Sequence, residues 1–336
     1  MPTPSSTSGP LVIGPNQPEG RFYDGGARIS KFRRVAPSAP RTPEDWVAST
    51  TSVRGRAPVG MTRLEGGTLL ADAIAADPVG WLGTGHVARF GADPKLLVKL
   101  LDAGQRLPVH AHPDAAFAAQ HLGAAHGKAE AWYILAPGTV HIGLREDLDL
   151  TALLALTASQ DTETLLGLLN AVHVEPGDTV WVPPGTLHAI GEGVLLAEVQ
   201  EPEDLSILLE WDGFELDGAA DGHLDLGFEV ALQAVTTTAA TGDSLRRLIR
   251  RGMVDGPALA PASVPFFRLD RIASPRVLPA GLAVVIGLSG SVTLRTDASP
   301  LEITAGMTVL VPAGAGPQSY QGSTGSVLVA RPPLAA

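Results

Sequence analysis

The sequence predicts a mainly β protein built from two related strand-rich modules with helical insertions. Gly (38) and Pro (28) make up almost a fifth of the 336 residues, a density of turn formers at odds with long helices. Pro176-Gly-Asp-Thr-Val-Trp-Val-Pro-Pro-Gly-Thr-Leu-His188 lines up without gaps against Ala305-Gly-Met-Thr-Val-Leu-Val-Pro-Ala-Gly-Ala-Gly-Pro317. Gly138-Thr-Val-His-Ile142 echoes Gly290-Ser-Val-Thr-Leu294 in the same order. A repeated strand–turn–strand unit is the mark of a duplicated β module.

Taken in order, residues 1–10 read as a flexible tail, since no basic stretch precedes an apolar core as in a signal peptide. Residues 11–60 read as short strands and loops. Thr42 as cap and Pro43 at the first helical position suggest a helix start over Thr42–Trp46. A helix is expected over 67–83, then a short apolar run from Lys95 to Leu101 and a turn at Asp102-Ala-Gly104. Asp114 to His126 has helical spacing, with His121 and His126 expected at the surface. The acidic, leucine-rich stretch from Leu148 to Val172 reads as a helical insertion in a β domain. The chain therefore divides into the tail, a first β domain over 11–211, a mixed helical connection over 212–264 and a second β domain over 265–336. The connection includes a helical patch over Asp243–Arg251.

A net charge of −11 argues against nucleic acid and anionic membranes as partners. No apolar run approaches the length of a membrane span. The absence of cysteine removes disulfides, thiolate metal sites and thiol nucleophiles together. The cytoplasm is the default location, and a monomer or small homo-oligomer fits the composition.

The chemistry concentrates around His110-Ala-His112. In a strand, residues i and i+2 share a face, so both imidazoles can aim at one point. Lys128, Glu130 and Trp132 repeat the alternation. His188 follows a strand and a tight turn. Three imidazoles and one carboxylate suit a divalent metal such as zinc, manganese or iron. The second module has Pro317 where the first has His188, and no histidine follows His223. Only the first module can hold such an ion.

These motifs resemble the cupins, and more narrowly the short bacterial form of type I mannose-6-phosphate isomerase. The carrying runs are Leu107-Pro-Val-His-Ala-His-Pro-Asp114, Gly127-Lys-Ala-Glu-Ala-Trp-Tyr133, Pro183 to Ile190 and Glu198-Val-Gln200. The resemblance implies two cupin-type β-barrel (jelly-roll) modules and one bound divalent metal, zinc foremost, held by His110, His112, Glu130 and His188. It implies Lys99 as a substrate-binding residue, with Lys128 and Glu198 as candidates for proton transfer. Asp204, in the charged run Glu201-Pro-Glu-Asp204, is a third candidate, although that run otherwise reads as a solvated loop. Three positions depart from the family. His110 replaces a ligand glutamine, Pro108 replaces a phosphate-binding serine, and no arginine lies between Glu198 and Trp211, where the family carries another phosphate contact.

The implied activity is metal-dependent aldose–ketose isomerisation of the mannose 6-phosphate to fructose 6-phosphate type, on a sugar or sugar phosphate, within carbohydrate metabolism. Losing two hydrogen bonds to a charged group costs about 3–6 kcal/mol, which points toward a different or unphosphorylated sugar. A non-catalytic sugar-binding regulator and an iron cupin oxygenase are the alternatives.

Overall fold

The computed structural model describes residues 7–322 and 324–334, so the first six residues of the expected tail lie outside it. The chain is mainly β, as expected. Its larger sheets are four, all antiparallel and open, and they face one another in two pairs.

In the first pair, a six-stranded sheet runs in the order Ile249–Arg250, Thr179–Val182, Glu130–Ala136, Leu195–Gln200, Leu97–Asp102, Glu44–Val47. It faces a five-stranded sheet ordered Ile207–Leu208, His110–Ala111, His188–Ile190, Gly138–Leu144, Leu169–Val174. Between them lies a core that includes Leu101, Trp132, Ile134, Val140, Ile190 and Leu196. The second pair sets Leu11–Val12, Thr308–Val311, Ala283–Ser289, Ser326–Arg331, Arg268–Ile272 and Gly256–Pro257 against a four-stranded sheet. Val285, Val292, Leu294, Val309 and Val329 fill that interior.

The two six-stranded sheets pack back to back. Val98, Leu100, Ala131 and Trp181 of the first join Leu269, Val284, Ile286 and Leu328 of the second in one apolar cluster. Each such aliphatic side chain contributes about 1.5–3 kcal/mol when fully buried. Central strands are therefore buried on both faces, as Leu195–Gln200, buried throughout, shows. The exposed back of the five-stranded sheet is covered by helices through Leu153, Leu165 and Ala231.

Several local expectations are corrected. Glu44–Val47 is a strand rather than a helix start, because it pairs with Leu97–Asp102 and is buried on both faces. That pairing overrides the capping signal at Thr42. Ala27–Arg33 is a helix inside a stretch expected to hold strands and loops. Gly25 admits it: a Cβ there would fall 2.1 Å from the Asp102 carbonyl oxygen. The helix expected over 67–83 breaks at Asp77-Pro78 into Leu70–Ala76 and Pro78–Leu82. The insertion over 148–172 is helical only through Gly167, with Asp149 and Asp161 as caps, before the strand Leu169–Val174 begins.

Leu11–Val12, although first in the chain, belongs to the second pair of sheets. Arg33 ties it in place: the guanidinium pairs with Asp45 and donates at 2.6 Å to both the Ile13 carbonyl and Thr308 Oγ1.

Candidate metal centre and the charged cup around it

Strand alternation builds the site. Glu130 lies on the same face of its strand as Trp132 and Ile134, which belong to the core between the first two sheets. Lys99 shares a face with Leu101, and Glu198 with Leu196, for the same reason. Glu44 sits opposite Leu101 and Trp46 opposite Lys99, so both also face inward. From the opposing sheet, His188 shares the face of Ile190, and His110 lies directly across from it. His112 follows two residues on.

The three imidazoles are oriented by main chain. Nδ1 of His110 lies 2.8 Å from the Pro108 carbonyl, that of His112 2.7 Å from Leu205 O, and that of His188 2.8 Å from Thr186 O. A carbonyl can only accept, so each Nδ1 carries the proton and each Nε2 presents a lone pair. One nitrogen from each ring lies within 4.8 Å of the others. The Glu130 carboxylate joins them: Oε2 is 3.0 Å from His112 Nε2 and Oε1 is 3.3 Å from His188 Nε2. Trp132 Nε1 steadies Oε1 at 3.0 Å.

Three imidazole lone pairs and a carboxylate converge in a buried place; Lys128, 2.8 Å from Glu130 Oε2 and His112 Nε2, answers only part of the set, and the rest suits a further cation. A proton does not serve. Burial, with the neighbouring His188 and His112, holds His110 well below the ordinary histidine pKa. Burial and Lys128 bring His112 down to about 3. Burial alone would raise Glu130, but Lys128 and His112 outweigh it and hold the carboxylate ionised. His188 Nε2 is buried without a hydrogen-bond partner. This neutral-imidazole, anionic-carboxylate set fits a divalent metal.

Lys128 stands beside the set, its Nζ 2.8 Å from both Glu130 Oε2 and His112 Nε2. The turn before it is tight: a Cβ on Gly127 would meet the backbone at Ala115 and Asp114 at 2.6 Å. Glu198 is buried and pairs with Lys99 at 3.4 Å. Burial, and then the charge on Glu130, raise its pKa. Lys99 also approaches Glu44 Oε2 at 3.6 Å and lies over the Trp46 ring at 4.6 Å.

Sequence reasoning missed two main parts of this cup. Arg21 lines it and bonds Glu44 Oε1 through Nε at 3.2 Å and Nη2 at 3.0 Å, with Asp204 at 3.7 Å. Glu44 also accepts from Tyr23 OH and Trp46 Nε1, both at 2.7 Å. Burial opposes its ionisation, yet Arg21 and Lys99 hold its pKa far below the carboxylate range. Near the expected arginine position stands Glu210, which binds Arg106 and accepts the Val109 N–H at 2.8 Å.

Asp204 is engaged by Arg21 at 3.7 Å and by the Arg54 N–H at 3.1 Å. The run around it is no solvated loop. Glu201 is buried and accepts the Ala129 N–H at 2.9 Å. Glu203 meets His126, which is buried rather than superficial and bridges to Asp93 at 2.6 Å.

Fold and site together give two pairs of facing sheets, only one of which carries the candidate metal-binding histidines. No family profile matches the chain. A Bacillus subtilis protein named as a probable mannose-6-phosphate isomerase is 33% identical over 205 residues, covering 58% of this chain and 59% of its own. The Streptococcus mutans mannose-6-phosphate isomerase is 39% identical over 111 residues, 32% and 34% of the two chains. The alignments thus span between a third and three fifths of these relatives. Among solved structures, the Bacillus subtilis mannose 6-phosphate isomerase superposes with a TM-score of 0.70 at 21% identity over 96% of this chain and 99% of that one. A mannose 6-phosphate isomerase bound with zinc and yttrium gives 0.72 at 18% over 97% and 100%. The chain thus has the fold of these solved mannose 6-phosphate isomerases and is similar in sequence to mannose-6-phosphate isomerases over part of its length.

Proposed function

We propose that this protein is a metal-dependent aldose–ketose isomerase acting between C1 and C2 of a sugar. One observation carries the proposal: three tautomer-fixed imidazoles and Glu130 converge beside a buried carboxylate of raised pKa and a lysine. His110, His112, Glu130 and His188 hold one divalent ion, zinc by the donor set, with manganese or iron as alternatives. When bound, the ion polarises the sugar carbonyl and offsets charge developing on O1 and O2.

Glu198 is the proton carrier. Burial brings its pKa closer to neutrality, so it can accept the C2 proton and return it at C1. Lys128 donates to the oxygen on which charge builds. Lys99 orients Glu198, and Asp204 holds Arg21 at the rim. We further read the two sheet pairs as cupin-type jelly rolls, with domains over 11–211 and 265–336 joined by 212–264, in a cytoplasmic monomer or small oligomer.

The substrate is read as an unphosphorylated sugar. Arg21, Lys99 and Lys128 are the cations lining the cup, against the carboxylates of Glu44, Glu130, Glu198 and Asp204. Arg21 and Lys99 are already matched by Glu44, Asp204 and Glu198, and Pro108 offers no hydroxyl. A phosphate dianion would have to displace buried carboxylates to reach either cation.

The test is turnover by metal-loaded protein of mannose, lyxose and fructose against mannose 6-phosphate and fructose 6-phosphate. Faster turnover of the free sugars supports the whole proposal. Faster turnover of the phosphorylated pair keeps the isomerase and removes the substrate assignment. No turnover of any sugar, with sugar still raising the melting temperature, refutes catalysis in favour of a binding protein.

A further inference from the structure

We infer that the second module carries a binding site for a small phosphate-bearing anion, built on Arg268 and Arg331 at the rim of its interior. The two residues lie directly opposite each other on the antiparallel strands Arg268–Ile272 and Ser326–Arg331. Arg331 shares its face with Val327 and Val329, and Arg268 with Ile272; all three apolar residues belong to the core between the second pair of sheets. Both arginines therefore point into that interior, at the end where it opens. Like charges placed opposite each other in a sheet repel, and both strands are otherwise apolar on this face except for Asp270.

No carboxylate forms an ion pair with either guanidinium among the described residues. Arg268 Nε donates to the Pro332 carbonyl at 2.8 Å and Arg331 Nη2 to the Pro279 carbonyl at 2.7 Å. Arg331 is only 3% exposed, and its Nε is buried without a hydrogen-bond partner. Asp270 is on the same face and its charge favours both cations, but it forms no ion pair with either and is one carboxylate against two guanidinium groups. Burial, and then the charge of Arg331, bring Arg268 down to about 10, so both arginines remain cations at neutral pH. Elsewhere in the chain, buried arginines such as Arg21 and Arg33 have carboxylate partners. Two facing guanidinium groups with no ion-paired carboxylate are costly unless an anion joins them.

A cleft of about 520 Å³ opens onto the pair, roofed by Gly83, Thr84 and His86 of the first module. Its size is that of a small organic ligand, larger than a bare phosphate needs, with Leu82 and Leu334 among its apolar walls. Gly281 lets Arg331 lie flat against the chain, since a Cβ there would fall 2.8 Å from Nη2. The cleft and the metal cup share no lining residue.

The probes are inorganic phosphate and glucose 6-phosphate, titrated by calorimetry and by melting temperature against sodium chloride of equal ionic strength. Wild-type protein is expected to bind both, with the sugar ester tighter. Arg268→Gln should weaken binding about 10- to 100-fold, the loss of hydrogen bonds to a charged group, while leaving the apo melting temperature near wild type. Lys99→Met, in the metal cup, should leave binding unchanged, and Arg331→Lys, which keeps the charge, should reduce it less than Arg268→Gln. Absence of binding in wild type, equal binding in Arg268→Gln, or loss in Lys99→Met instead would each overturn the inference.

Discussion

His126 provides a quantitative test of how the loop over the cup is held. Its ring lies between Asp93 (2.6 Å) and Glu203 (3.2 Å). Burial disfavours the imidazolium, but the two carboxylates outweigh it and raise the pKa from 6.5 to about 9. At about 1.36 kcal/mol per pH unit this links at most about 3.4 kcal/mol to folding. Asp93 and Glu203 keep 30% and 24% side-chain exposure, so screening reduces the figure to about 1–2 kcal/mol. The folded-state pKa is the raised one. The contribution is therefore complete below pH 6.5 and disappears as pH rises through 9. His126→Gln should be about 1–2 kcal/mol less stable than wild type at pH 6, measured by urea unfolding, and the gap should narrow steadily toward pH 9.5. A gap constant across that range, or one that widens with pH, would refute an ionised histidine between the carboxylates.

Three further outcomes are expected. His188→Ala should bind zinc more than about 10- to 100-fold more weakly, the usual loss for disturbing even an outer partner of a metal site, and should lose zinc-dependent thermal stabilisation. Glu44→Gln releases Arg21 and Lys99 from their shared counter-charge; the ratio of kcat/KM for mannose 6-phosphate to that for mannose should rise about tenfold, and an unchanged ratio would remove Glu44 as the specificity determinant. Arg33→Ala leaves Asp45 buried and unpaired and should cost about 3–5 kcal/mol in chemical denaturation.

What was legible in the sequence follows from period 2. His110 and His112, Glu130 and Trp132 alternate in strands that face a filled interior, and the turn before His188 repeats in the second module, so the shared face of these side chains could be read directly. The N-terminal wall of the cup could not. Glu44 follows Thr42-Pro43, a pair equally suited to capping a helix, and its strand is buried on both sides, which erases the alternation that would identify it. Arg21 and Glu44 meet only through tertiary pairing. His126 was misjudged because the helix carrying its apparent period ends at Gly123, in a left-handed conformation, and the residues beyond turn inward. Arg268 and Arg331 sit 63 positions apart, and only strand register brings them face to face.

The back-to-back packing of the two six-stranded sheets has an evolutionary consequence. Once one copy of a duplicated unit has laid its apolar face against the other, it cannot be deleted without exposing that face to water. Selection on the copy that carries the histidines thereby keeps the other copy folded. The copy's open rim escapes that constraint and is free to diverge.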